Sequence, residues 1–180
     1  ESNIDSIIYQ DMYEPYISIP MFYEKGINNH ITGRNRRILT MKLVARFGLT
    51  SPIIIAWLYN ISYPQALVHL NNLVKEKLLT MITTMRAPGG RVYALSYNGA
   101  KYAEELLGIT IYFRSSTRPE LQINQNTIVH DLMCQYMAMR GMTNKPEPMW
   151  GGFVTEPEFK RLFPSNTIRN VDGVLLEVDG

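Results

Sequence analysis

The sequence predicts an α+β fold, and three observations predict it. Residues 34–107 give short helical patterns in succession, the second and third separated by little more than Asn60-Ile61-Ser62. An alternating, Thr- and Ile-rich run from Leu78 to Met85 turns at Ala87-Pro88-Gly89-Gly90 and returns as Arg91 to Leu95, which makes a β-hairpin. The chain closes on Val171-Asp172-Gly173 and a further β-like apolar run. Three helices followed by a hairpin is the order of a winged helix-turn-helix, a unit whose commonest use is to lay one helix in the major groove of DNA.

The first helix opens at Asn35-Arg36-Arg37, with Ile38, Met41, Val44 and Ala45 or Phe47 recurring at three and four residues, and Gly48 ends it. Ser51 followed by Pro52 is a start signal, because proline lacks an N–H where the first turn has no use for one; the second helix then runs through Ile55, Trp57 and Leu58. Ser62 with Gln65 three residues on is a capping box for the third helix, Tyr63 to Lys77. At the helical repeat, Ala66, Leu67, Leu70, Leu73 and Val74 share one side. Gln65, Val68, Asn72, Lys75 and Glu76 lie opposite, with His69 and Asn71 at the margins. Amide side chains can bond adenine N6 and N7, and Lys reaches guanine or phosphate, so this face can read bases. Arg86 and Arg91 flank the hairpin turn, placed for phosphate or the minor groove. Tyr93-Ala94-Leu95-Ser96-Tyr97-Asn98-Gly99 then leads into a helix to Leu107, closed by Gly108. This exit looks like the aromatic-x-Leu-Ser/Thr-x-x-Gly pattern of winged-helix regulators. The expected DNA contacts are Arg34, Arg36, Arg37, Tyr63, Gln65, His69, Asn72, Lys75, Arg86 and Arg91.

Composition narrows the chemistry. With 180 residues, 46% of them hydrophobic, the chain can bury a core. Cys134 stands alone, so an internal disulfide and a Cys-based zinc site are excluded, and a reducing, cytoplasmic setting is expected. No apolar run approaches the roughly 18 residues of a membrane span, and no membrane partner is expected. The net charge of +2 hides an asymmetry: residues 1–118 carry 13 Lys/Arg against 8 Asp/Glu, and residues 119–180 carry 5 against 8. A basic front half suits a polyanion. Residues 1–33 hold Tyr9, Tyr13, Tyr16, Phe22 and Tyr23 among Pro15, Pro20, Gly26 and Gly33, with room for one helix from Ile4 to Tyr13. A nucleophilic Tyr working on DNA also needs clustered His ligands. His30, His69 and His130 are far apart, so the tyrosines are read as packing anchors of an arm.

In the back half, Ile109 to Phe113 is β-like and Arg114 to Glu120 is a polar linker. A helix from Asn126 to Arg140 carries Ile128, Leu132, Tyr136 and Met139 on one face, with Gly141 closing it; His130 and Asp131 on it point about 100° apart. A Pro-rich loop follows, then Trp150 and Glu156. A carboxylate beside a Gly that leads into a strand is how PD-(D/E)xK nucleases begin their motif, the Asp binding Mg²⁺ and a second acid on the next strand sharing it. Here Val171 stands in place of the usual Pro, and Glu177-Val178-Asp179 has no Lys. Either Glu177 is the second acid, or Asp179-Gly180 is a hairpin turn and the second acid lies beyond it. The hairpin is preferred, which makes the chain a truncated fragment.

The combination of a winged helix, a helix with His130-Asp131, a Trp followed by Glu156, and Val171-Asp172-Gly173 resembles the replication-relaxation proteins, in particular the MOBC-type relaxases of mobilisable plasmids. The resemblance covers about Arg34 to Gly180. It implies an N-terminal winged helix followed by the beginning of a restriction-endonuclease-like α/β domain, divided as an arm over 1–33, a DNA-binding domain over 34–113 and a partial nuclease-like domain over 121–180. It also implies nicking of double-stranded origin-of-transfer DNA with Mg²⁺ or Mn²⁺. Asp172 would be a metal ligand and catalytic with Glu156, or Glu177, as supporting acid. Other relaxosome proteins and a second copy of the chain are possible partners. The alternative expectation is a non-enzymatic winged-helix regulator of transcription or plasmid replication.

Overall fold

The computed structural model describes residues 11–111, 123–163 and 171–177. It is a mixed α+β fold with two small antiparallel sheets. The chain divides into two units, residues 22–136 and residues 1–21 with 137–180. Among the described residues no helix is long and apolar enough to cross a membrane.

In the first unit, α1 (Asn29–Phe47) starts six residues before the expected Asn35, because Asn28 is a ready cap whose side chain accepts from Ile31 N. Gly48, left-handed at φ 90, ends it. From Leu39 to Phe47 every residue but Lys42 is buried, so the second half of α1 is the centre of this unit and packs on the strand Arg91–Leu95 and the helix Tyr97–Leu107. Helix α2 (Pro52–Tyr59) begins with Pro52 as expected, although Ser51 at the cap makes no side-chain capping bond. Asn60, left-handed, turns the chain into α3 (Tyr63–Lys75). Strands β1 (Leu79–Thr83) and β2 (Arg91–Leu95) pair in the register Leu79↔Leu95 to Thr83↔Arg91. Thr50, between α1 and α2, adds a bridge to Tyr93 that the sequence pattern does not announce: its N–H donates to Tyr93 O at 2.9 Å and its carbonyl accepts from Tyr93 N at 2.8 Å.

The exit from β2 gives each residue of its motif a task. Tyr93 is buried and donates its hydroxyl to Asn71 Oδ1 at 2.8 Å. Ser96 Oγ accepts from Gly99 N at 3.0 Å, capping α4 (Tyr97–Leu107), and donates to the Lys77 carbonyl. A Cβ on Gly99 would stand 1.8 Å from Leu78 O, so only glycine lets α4 meet the start of the hairpin. Gly108 closes α4 as expected. The expected β-run after it does not form over 109–111, where Ile111 N instead donates to Glu104 Oε1 at 3.0 Å. Its remaining residues and the linker 114–120 lie outside the described residues. Helix α5 (Ile128–Thr143) supplies residues to both units. Its buried Gln135 accepts from Thr50 Oγ1 at 2.7 Å and donates to Leu49 O at 2.6 Å.

In the second unit, residues 11–17 are helical, extending beyond the expected end at Tyr13; residues 1–10 lie outside the described residues. Strand β3 (Trp150–Thr155) pairs antiparallel with β4 (Gly173–Glu177), from Trp150↔Glu177 to Thr155↔Gly173. Between them in sequence comes α6 (Glu156–Leu162), opened by a capping box of Thr155 and Glu158. Ile17, Val154 and Phe159 form a small core with Tyr13, Tyr16, Phe163, Val171 and Val174 around it, so Tyr13 and Tyr16 are packing residues. Gly141 does not close α5. It lies inside the helix, where a Cβ would be 2.0 Å from Cζ2 of Trp150, and the indole donates to Ala138 O at 3.0 Å. The expected turn at Asp179-Gly180 lies outside the described residues.

Candidate nucleic-acid interface

Helix α3 is fixed at both ends. At its start Ser62 Oγ accepts from Gln65 N at 3.3 Å while Gln65 Oε1 accepts from Ser62 N at 3.0 Å, the reciprocal capping box. At its end Glu76 pairs with Arg37, whose guanidinium also lies 5.6 Å from the Tyr102 ring centre. Ala66, Leu70 and Leu73 are buried, Leu67 and Val74 of the same predicted side are half-buried, and Gln65, Val68, Asn72, Lys75 and Glu76 opposite them are exposed.

The candidate contacts separate into presented and internal groups. Tyr63, Gln65, Asn72 and Lys75 are exposed on or beside the outward row, and Arg34 and Arg86 are exposed elsewhere on the unit. Arg91 is half-buried at the start of β2. Tyr63 also supports the hairpin loop, since its hydroxyl lies where a Cβ on Gly89 would be. His69, by contrast, is turned inward: its Nε2 is 2.9 Å from Thr40 Oγ1 and its ring meets that of Tyr59 edge-on at 5.8 Å. Burial, followed by the charges of Arg36 and Arg37, holds His69 down at about 4, neutral at ordinary pH. Arg36 is internal as well, donating from Nε to Tyr23 Oη at 3.1 Å and lying 5.6 and 5.8 Å from the Tyr23 and Tyr59 ring centres. Burial also raises the Tyr59 phenol, which stays protonated. Arg36 and Arg37 are therefore engaged with partners distant in sequence.

Gln65 carries a restriction. A paired contact to adenine uses the amide oxygen as well as the amide N–H₂, and its oxygen already accepts from Ser62 N, so a base would have to share it. Val68 belongs to the outward row by its helical position, yet its side-chain type suggested no DNA contact. It is 61% exposed, an apolar group in a polar stripe, and that contrast is the signal that could have marked it.

Charge is concentrated in the same unit. Residues 22–136 carry 13 Lys/Arg against 6 Asp/Glu, net +7, and the rest of the chain carries 5 against 10, net −5. Such a balance gives the first unit a field that favours anions over cations.

The second unit holds the candidate acids. Because Thr155 pairs with Gly173, Glu156 and Asp172 follow and precede the last pair at the same end of the β3–β4 sheet. Asp172 is exposed, and Glu156 is half-buried with its Oε1 2.8 Å from Lys160 Nζ. Glu177 pairs with Trp150 at the opposite end of the sheet. Two carboxylates at one end are hard oxygen donors of the kind Mg²⁺ and Mn²⁺ accept. No family model, no curated protein and no solved structure matches the chain.

Proposed function

We propose that the segment from α1 to α4 is a winged helix-turn-helix that binds double-stranded DNA, with α3 in the major groove and the Arg86 loop against the backbone. The observation that carries this reading is the capped helix α3, buried along Ala66, Leu70 and Leu73 and presenting Gln65, Val68, Asn72 and Lys75 in one exposed row on a unit of net charge +7. Binding of duplex DNA measured across a salt series tests it. Log K should fall linearly with log salt, by about 0.9 for each phosphate neutralised. Salt-independent binding, or none at low salt, would sink the reading and leave a helix used for protein contacts.

A more specific reading, supported by the shared end of the sheet at Glu156 and Asp172, makes the chain part of a plasmid-mobilisation relaxase of the replication-relaxation type. Asp172 would hold Mg²⁺ or Mn²⁺ with Glu156 as the neighbouring acid; the ion, when bound, supplies charge neutralisation at a DNA phosphate and an activated water. This chain's own part is to bring DNA through α3 and to hold the two carboxylates. Incubation of a form of the chain extended past Gly180 with supercoiled plasmid carrying an origin of transfer and either ion should give nicked circles that Asp172→Ala removes. Absence of nicking with both ions would favour a DNA-binding regulator without catalysis.

A further inference from the structure

Within the exposed row of α3, Val68 and Asn72 stand one helical turn apart. Asn72 has no side-chain hydrogen bond among the described residues, so both its oxygen and its amide N–H₂ are open, whereas the oxygen of Gln65 is held by Ser62 N. A paired contact to adenine N6 and N7 is thus open to Asn72 without competition, whereas Gln65 would have to share its oxygen with the capping box. The exposed isopropyl group of Val68 has one complementary feature in the major groove, the C5-methyl of thymine. Four residues of helix rise about 6 Å, close to two base-pair steps of about 3.4 Å, so the two side chains address pairs about two steps apart in one site.

We propose that this row reads A·T pairs in the major groove, Asn72 bonding an adenine and Val68 packing on the methyl group of a nearby thymine. The proposal rests on the DNA-binding reading above and adds base identity to it. The occupant it commits to is an A·T-containing duplex, drawn by the positive charge of residues 22–136 and set in register by exposed Lys75 in the last turn of α3.

The test uses the full chain and four duplexes of equal length, compared by competition at fixed salt. One alternates dA and dT, one replaces every dT by dU, one replaces every dA by 7-deaza-dA, and one alternates dG and dC. Loss of the thymine methyl should weaken binding about fourfold per methyl covered, from roughly 0.8 kcal/mol for one buried carbon, and Val68→Ala should erase the difference between the dT and dU duplexes. Loss of N7 should weaken binding roughly five- to a hundredfold, and Asn72→Ala should erase that difference. Equal affinity for the dT and dU duplexes, or a dG·dC duplex bound as tightly as dA·dT, overturns the proposal while leaving salt-sensitive DNA binding in place. Failure to bind any of the four at low salt overturns both.

Discussion

His69 Nε2 donates to Thr40 Oγ1 across 2.9 Å, and the direction of that bond is set from its far end. The Tyr59 hydroxyl donates to the Arg36 carbonyl at 2.8 Å, so it must accept from Thr40 across their 2.7 Å contact, which leaves the Thr40 oxygen to accept from His69. The chain of bonds ties α3 to α1 and α2 and puts a proton on Nε2 of His69, while burial and the charges of Arg36 and Arg37 keep the ring neutral.

Acid should therefore loosen the first unit. The folded value of His69 is about 4 against an ordinary 6.5, so between those values the unfolded chain binds the extra proton. Stability should be independent of this group above pH ~6.5, then fall by up to about 1.4 kcal/mol per pH unit down to pH ~4. Urea unfolding of the native chain and His69→Gln across that window checks it, and an equal slope in both would refute the assignment.

Thr40→Val removes the middle of the chain of bonds and keeps its volume. It should destabilise the protein by about 1–3 kcal/mol, because a buried imidazole N–H loses its acceptor and the Tyr59 oxygen loses its donor. Nitrogen chemical shifts of His69 in the native protein should report the Nε2–H tautomer, and an Nδ1–H signal would reverse these bond directions.

Gly99→Ala should lower stability by about 1–3 kcal/mol, since the new methyl must displace the Leu78 carbonyl. Ser96→Ala should lower it by about 0.5–2 kcal/mol through loss of the α4 cap. Denaturant midpoints measure both, and a neutral Gly99→Ala would show that the helix can shift away.

Gln65 and Asn72 should separate cleanly. Gln65→Ala should reduce stability by about 0.5–1 kcal/mol and leave relative preferences among DNA sequences unchanged, because its oxygen serves the capping box. Asn72→Ala should leave stability within about 0.5 kcal/mol and narrow those preferences. Unfolding curves alongside competition binding decide it; a Gln65→Ala variant with altered base preference would contradict the division.

The arginines should divide in the same manner. Arg34→Ala and Arg86→Ala should weaken all DNA sequences alike and reduce the salt slope by about 0.9 for each phosphate that is no longer neutralised. Arg36→Ala should show chiefly as reduced stability, through loss of its contacts beside the paired Tyr23 and Tyr59 rings. A salt slope unchanged in Arg86→Ala would remove the loop from the interface.

Local patterns made the elements of the first unit and the two faces of α3 readable, because Ser62, Gln65, Pro52, Gly48 and Gly108 act within a few residues of where they stand. Other features depend on partners far along the chain. Nothing near Arg37 announces Glu76, and nothing near Gln135 announces Thr50 and Leu49. His69 lies at the margin of the helical repeat, and only the Thr40 and Tyr59 groups draw it inward. Gly141 carries the usual meaning of a helix end until Trp150 occupies the space beside it, and Gly151-Gly152 conceals the strand that Trp150 begins.

The reciprocal cap of α3 also has a consequence for how this helix could be re-engineered. Pro64 has no N–H, that of Gln65 goes to Ser62 Oγ, and that of Ala66 goes to the Ser62 carbonyl. The leading end is thus largely closed to a phosphate, which elsewhere anchors many helices through main-chain groups that no substitution can change. What α3 offers a partner is carried by its side chains, so its specificity is open to rewriting one residue at a time while the scaffold beneath stays fixed.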